Sequence, residues 1–176
     1  MSALDPSLRG RITQDSVLEV IGDRLRAAIE IYNDQNCWES DDPVPLSHPG
    51  GDEFCTVSLG SGNFPPEFFD GAGAATLVEM GSVIIAPTVP IRGDRPRRRR
   101  RRLSSDADGK NLLNRKYLIL KALFGEDWEP AAGLQPLLRD LPHPVSCSAP
   151  GEVHVGETTM LQLRLMIQTT FDWDLS

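Results

Sequence analysis

The residues with the clearest chemical capacity in this sequence are arginines crowded into one short segment. Eight of them fall within eleven consecutive positions: Arg92, Arg95, Arg97, Arg98, Arg99, Arg100, Arg101 and Arg102. A guanidinium group binds a phosphate or carboxylate through two parallel hydrogen bonds, and a cluster of them neutralises several phosphates of a nucleic acid. This arginine segment is therefore the candidate contact site of the chain, either for nucleic acid or for another subunit.

The net charge of the chain, −7, conceals a strong asymmetry. With Asp94, the arginine segment carries +7, so the remaining residues carry −14. Three interpretations stay open: the segment binds nucleic-acid phosphates, docks on the acidic surface of a neighbouring copy, or is a solvated tether. It has no interleaved aromatic residue, and the rest of the chain is acidic, which argues against sequence-specific reading of a nucleic acid.

A search for catalytic and metal-binding patterns finds no convincing group. His48, His143 and His154 lie beside proline, glycine or strand residues, without the H-x-x-x-H spacing of a helical metal site, and no G-x-S-x-G motif occurs. His154 with Glu152 or Glu157 could place two or three ligands on one hairpin, but such groupings are common by chance. We therefore predict a protein that is not an enzyme and that holds neither metal nor cofactor.

The three cysteines, Cys37, Cys55 and Cys147, are odd in number and widely spaced. This pattern favours free thiols in a reducing compartment over a disulfide framework. None lies beside a histidine or a pair of basic residues that would activate its thiol. We expect Cys55, which lies within a predicted strand, to be buried as a small apolar side chain.

The elements that must position the arginine segment begin with an amphipathic helix. Ser16 and Glu19 match a capping box, and the apolar spacing predicts a helix from there to residues 33–36. The expected buried stripe is Val17, Ile21, Leu25, Ala28, Ile29 and Tyr32. Residues 39–53 are dense in proline, glycine and acid, which indicates a surface connection.

Two strands are predicted before the arginine segment. Residues 54–59 and 76–85 are rich in apolar and β-branched types, and the stretch 61–75 between them is irregular. Pro87 and Pro90 are expected to end the second strand, because proline lacks the N–H that a β-ladder needs.

A second helix is predicted at residues 110–124, with Gly125 at its C-terminal cap. Its expected buried stripe is Leu113, Tyr117, Leu120 and Phe124, widened by Leu112, Ile119 and Leu123. Residues 126–151 contain five prolines and are predicted to hold no regular structure beyond one turn at 134–138.

The C-terminal region predicts one long strand over residues 161–173, where apolar and polar residues alternate. The residues expected to face the core are Leu161, Leu163, Leu165, Ile167 and Phe171. Even positions such as Gln162 would face solvent or a partner. Residues 153–155 are expected to pair with this strand as a hairpin.

These elements predict an α+β fold, with an antiparallel or mixed sheet of about four strands, two helices on one face and long irregular loops. The chain is expected to form a single domain, residues 1–176, with a flexible N-terminal arm (1–12) and an Arg-rich loop (91–109). No apolar run is long enough to cross a bilayer, and the N-terminus has no signal-peptide pattern, so we expect a soluble protein without a membrane partner.

The order of helix, two strands, long loop, helix and terminal hairpin, ending in the strand within residues 161–175, resembles the tail terminator (minor tail protein U type) of long-tailed bacteriophages. This resemblance covers most of the chain in layout. It implies a subunit of a hexameric ring in the virion tail or neck, made in the host cytoplasm. Such a ring caps the tail tube, joins it to the head-side connector and lets DNA pass. The proline-rich segment and the arginine segment depart from smaller family members.

Two other functions remain open from the sequence. The chain fits another neck protein, such as a head-closure or adaptor subunit, or a nucleic-acid-binding accessory protein that acts through its arginine segment. The absence of a catalytic group and the length of the predicted terminal strand favour an assembly subunit completed by its neighbours.

We expect replacement of Arg97–Arg102 by serine to leave the thermal midpoint nearly unchanged, because exposed charges contribute little to a core. If the segment contacts DNA, the variant will assemble but lose salt-dependent DNA retention. If it docks on an acidic subunit surface, assembly will weaken, and high salt will mimic the substitution in the wild type. The mass of the assembly and the retention of DNA, both measured across a salt series, separate these outcomes. If the variant changes neither property, the segment is a solvated tether.

Overall fold

The computed structural model describes residues 14–47, 52–62, 76–91, 112–124 and 145–174. The predicted arm and the arginine segment lie outside these residues. The described elements are helix α1 (Gln14–Ala28), strands β1 (Cys37–Glu39), β2 (Phe54–Leu59) and β3 (Thr76–Pro90), helix α2 (Leu112–Phe124), and strands β4 (Val145–Cys147), β5 (Gly151–Val155), β6 (Thr158–Gln162) and β7 (Leu165–Asp174).

The predicted α+β class is confirmed, but the sheet has seven strands rather than about four. It is mixed, because β1 runs parallel to β2 while the other pairs are antiparallel. β3 is central and has β2 on one edge. Its other edge is shared by β7, which pairs with residues 76–85, and by β6, which pairs with residues 88–90. β5 lies outside β6, and β4 lies outside β7.

Helix α1 packs an apolar stripe on one face of the sheet. The predicted stripe residues that are buried are Val17, Ile21, Leu25, Ile29 and Tyr32. The helix begins at Gln14, so Ser16 is not its cap, and it ends at Ala28, which is exposed rather than buried. It ends early because the side chains of Asn33 and Asn36 accept hydrogen bonds from nearby backbone amides, which favours a turn.

Helix α2 buries a different face from the predicted one. Leu113 and Tyr117, both expected in the core, are 47 % and 59 % exposed, and Leu120 is half-buried. The buried residues are Leu112, Arg115, Ile119, Ala122, Leu123 and Phe124. Arg115, which is not part of the predicted stripe, is only 4 % exposed, and its position rotates the buried face away from Tyr117.

Arg115 is buried beside a carboxylate that neutralises it. Its Nε and Nη2 donate to Glu53 Oε1 and Oε2, and the second of these bonds is 3.1 Å long. Because Glu53 directly precedes β2, this ion pair fixes α2 against the start of that strand. The two helices are joined by Arg24 Nε, which donates to Ala122 O at 2.9 Å.

Arg26 holds the short strand β1 beside α1. Its guanidinium donates to Cys37 O at 2.9 Å, to Glu39 Oε1 at 3.0 Å and to Asp23 Oδ1 at 2.7 Å. Partial burial lowers the pKa of Arg26, but the hydrogen bonds to Asp23 and Glu39 outweigh burial and raise that pKa above its ordinary value. Arg26 therefore stays charged and connects α1 to a strand of only three residues.

The prediction that Pro87 and Pro90 end the second strand is wrong, since β3 continues to Pro90. Pro87 directs its backbone toward the gap between β6 and β7, where its carbonyl accepts from Leu163 N at 3.2 Å. Pro90 directs its backbone to the opposite edge of β3, the edge that pairs with β2. That pairing stops at Thr88, which is opposite Phe54, so no residue of β2 lies opposite Pro90. Neither position needs an N–H donor, so both prolines fit the ladder.

The predicted long terminal strand is instead two strands, β6 and β7, separated by Leu163 and Arg164. At this break Arg164 N donates to Ser148 Oγ, and Arg164 O accepts from Ser148 N. The predicted core positions that are buried are Leu161, Leu163, Leu165 and Ile167. Gln162, expected to face solvent or a partner, is only 3 % exposed.

The predicted hairpin is confirmed, with β5 and β6 joined by Gly156 and Glu157. Gly156 has φ of +58°, as the first residue of a two-residue hairpin turn requires. The expectation of no strand within residues 126–151 is wrong, because β4 lies there; three residues are too few to show alternation. The prediction for Phe171 falls on a side chain that the structure does not describe.

We expect Glu53→Ala to lower the free energy of unfolding by about 3–5 kcal/mol, because it removes the carboxylate that pairs with the buried Arg115 charge. The double variant Glu53→Leu/Arg115→Leu should recover part of that loss, since apolar packing replaces a buried ion pair at little cost. Urea denaturation measures both. The control Asp23→Ala removes an exposed ion pair and should cost less than about 1 kcal/mol; a loss as large as that of Glu53→Ala would contradict the assignment.

Candidate assembly surface

The sheet face opposite the helices carries polar side chains. Both described helices pack against odd-numbered strand residues such as Val57, Val83 and Ile85. The buried polar residues at even positions on the opposite face are Thr56, Ser58, Ser82, Thr88 and Gln162. Buried hydroxyl and amide groups need hydrogen-bond partners, and the side chains of Thr56, Ser82, Thr88 and Gln162 have them. Among the described residues, the buried Ser58 Oγ has no such partner.

Residues 40–47, called the strap, cover one end of this face. Pro43 O accepts from Thr56 Oγ1 and from Gln162 Nε2, both at 2.9 Å. Below the strap lies a small apolar cluster, in which Phe54, Val155 and Met160 pack with Trp38, Val44 and Val153. The bond to Pro43 explains why Gln162 is buried although its sequence position predicted solvent.

An open groove of about 250 Å³ lies at the other end of the same face. Its lining includes Ser61, Met80, Ser82, Met166 and Gln168. Met166 is 38 % exposed, so apolar thioethers lie among hydroxyl and amide groups. Methionine adapts its shape to a partner, which makes this lining suitable for protein contact.

The sheet narrows to two strands next to the groove. β2 ends opposite Val83 and β4 begins opposite Ile167, whereas β3 and β7 stay paired beyond both points. Among the described strands, none pairs with the outer side of either strand in this extension. We call the extension, residues 76–81 paired with residues 169–174, the ribbon.

The ribbon directs backbone hydrogen-bonding groups toward both of its long edges. Alternate residues of a strand direct N–H and C=O to the same edge. Ser82 O accepts from Gly60 N on the β2 side, and Arg164 O accepts from Ser148 N on the β4 side, so even positions of both strands face outward. The outward positions are Thr76, Val78 and Met80 on β3, and Gln168, Thr170, Asp172 and Asp174 on β7.

The eight arginines of the predicted contact site lie outside the described residues, so their role stays a prediction. The structure places the points between which they lie. Ile91 N donates to Thr159 O at 3.2 Å, and Leu112 is buried at the start of α2. Ile91 follows the end of β3 that is remote from the ribbon, and the ten residues from Gly81 to Ile91 span about 33 Å at roughly 3.3 Å per residue.

Sequence reasoning missed both the ribbon and the groove. The available signal was the unequal length of the predicted strands, six residues at 54–59 and ten at 76–85. Two antiparallel neighbours of such different length leave part of the longer strand without that partner.

The histidines show no metal-site geometry within the described part of the chain. His154 is exposed on β5, and its Nδ1 lies 3.4 Å from Thr159 Oγ1. His48 and His143 lie outside the described residues. Among the residues that the structure describes, no group of three or more His, Cys, Asp or Glu side chains could hold a metal ion.

The cysteines occupy two different environments. Cys37 and Cys55 are register partners on β1 and β2 and are buried with free thiols, whereas Cys147 is exposed. Burial, followed by the hydrogen bond with Cys37, raises the pKa of Cys55 well above its ordinary value. The Cys55 thiol therefore stays neutral and is a weak nucleophile.

No protein-family model matches this chain, and no curated protein matches its sequence. Neither of the two described helices has the length and apolar character needed to cross a membrane. The proposed function therefore rests on the geometry above and on the resemblance in layout.

We expect only one thiol, that of Cys147, to react rapidly with a thiol reagent at pH 8 in the native protein. Cys147→Ser should remove the rapid phase, and denaturant should release the other two thiols. Stability should fall above about pH 9, because the unfolded Cys55 ionises there while the folded thiol stays protonated. Urea midpoints at pH 8 and 10 should therefore differ more for the wild type than for Cys55→Ala.

Proposed function

We propose that this protein is a non-enzymatic structural subunit of a phage tail or head-tail junction. In this proposal it is a tail terminator that forms a ring, caps the tail tube and joins it to the head-side connector. The observation that carries the proposal is the ribbon, because no described strand pairs with either of its outer edges. Natural proteins usually cover or shorten such edges, because they pair with other chains. Open edges of this length fit a subunit that is completed by its neighbours.

The order of elements supports the same function. The resemblance rests on the order of the elements along the chain, and the structure has helix α1, strands β2 and β3, helix α2 and the terminal strands in that order. The segment that contains the arginines lies between β3 and α2 in the sequence. The α+β class is also the class that the resemblance implies. A hexameric ring in the virion tail or neck is the assembly proposed from it.

In sequence, the arginine segment follows Ile91, which lies beyond the end of β3 that is remote from the ribbon. In the proposed ring, the arginines contact passing DNA or an acidic surface of the adjoining protein. The charge of −14 on the rest of each copy favours a cationic segment for contacts between stacked subunits.

A second candidate function is supported by the arginines themselves. Eight guanidinium groups in one segment suit an accessory protein that binds nucleic acid without sequence preference. Another neck protein, such as a head-closure or adaptor subunit, fits the same composition.

We expect the purified chain to form closed rings with a central hole as its concentration rises, and to bind a coexpressed tail-tube subunit from the same genome. Sedimentation velocity, with 19.4 kDa per copy, and negative-stain microscopy measure the first property. The Arg97–Arg102→Ser variant is the matched control, because it separates ring formation from DNA retention. A chain that stays monomeric, ignores the tube subunit and retards DNA at moderate salt would support the accessory protein instead.

A further inference from the structure

We propose that the ribbon closes the ring by strand addition between copies. The outer edge of β7 (Gln168–Asp174) in one copy pairs antiparallel with the outer edge of β3 (Thr76–Gly81) in the next copy. This inference rests on the proposed function and names the partner of the ribbon, a second copy of this chain.

A two-stranded ribbon that pairs with no third strand has little stability in water. Two strands without further partners are at best marginally stable, and each leaves a row of backbone groups for water to satisfy. Residues 76–81 and 168–174 contain no proline and no lysine, two residue types that commonly protect an edge from pairing, and their only charged residues are Glu79, Asp172 and Asp174.

The two edges match each other in length and direction. The β3 edge has six residues and the β7 edge has seven. Because β3 and β7 are antiparallel within the ribbon, β7 of one copy beside β3 of the next continues the same alternation of direction. Each copy then offers one edge of each kind, which is the requirement for a head-to-tail contact that closes into a ring.

The charges of the ribbon favour this pairing over the alternatives. In the register, Val78 is opposite Asp172 and Glu79 is opposite Phe171, so Asp172 and Asp174 share one face and Glu79 belongs to the other. When the sheet continues into the next copy with its faces unchanged, the acidic positions 172 and 174 of the β7 edge are in register with the uncharged even positions of the β3 edge. A symmetric pairing of two β7 edges instead brings aspartates opposite one another, which is destabilising.

Closure of this kind removes both open edges in every copy at once. A continuous sheet then lines the ring, with two strands from each subunit, and has no edge left for unwanted pairing.

The test uses proline at outward positions, where loss of an N–H blocks pairing between copies but spares the β3–β7 ladder inside the copy. Val78→Pro blocks the β3 edge, and Asp172→Pro blocks the β7 edge. His154→Pro is the matched control, because His154 faces outward on the edge strand β5 at another part of the sheet. Circular dichroism and thermal melting verify that each variant folds.

We expect each ribbon variant alone to lose the ring and remain a monomer in sedimentation velocity, while His154→Pro forms rings like the wild type. A 1:1 mixture of the two ribbon variants should form dimers and nothing larger, because only one intact edge of each kind remains. Rings in either ribbon variant alone, or dimers of Val78→Pro alone, would overturn the strand addition and leave the ring function standing. A wild type that stays monomeric at millimolar concentration would overturn both.

Discussion

Backbone hydrogen bonding by β3 constrains almost every other described strand. β2, β6 and β7 pair with it directly, and β1, β5 and β4 are each one strand further out. No single partner matches its fifteen residues, so one edge is divided between two strands and the other is left partly without a strand among those described. The break between β6 and β7 and the ribbon both follow from the length of this one strand.

Buried polar contacts then decide details that hydrophobic spacing leaves open. The Glu53–Arg115 pair orients α2, and the Pro43 carbonyl holds two polar side chains of the helix-free face. A fully paired ion pair inside a core costs desolvation energy, so its contribution lies in fixing one arrangement of helix and sheet rather than in stability. Here that arrangement turns Tyr117 outward.

The local pattern of apolar and polar residues was sufficient to predict those elements whose structure depends only on burying one face. The bounds of β2, the stripe of α1 apart from Ala28, and the alternation of Leu161, Leu163, Leu165 and Ile167 were predictable, because each residue's neighbours in sequence determine its face. The face of α2 depends on Glu53, which lies 62 positions away from Arg115, and no local pattern reports such a partner. Pro87 is tolerated only because β6 and β7 separate beside it. Prediction of the ribbon likewise requires knowing where each neighbouring strand ends. For the candidate assembly surface, the only signal in the sequence was the unequal length of the two predicted strands.

The attachment points of the arginine segment also bear on how such a chain can change during evolution. Ile91 donates a hydrogen bond to Thr159 O of β6, and Leu112 is buried at the start of α2, so the two residues that flank segment 92–111 are both fixed by contacts. Doubling the length of a connection between fixed ends costs only about 0.6 kcal/mol of closure entropy. Closure entropy therefore sets little limit on insertions and deletions between these two anchors, so the length of the segment is free to change toward a new binding partner.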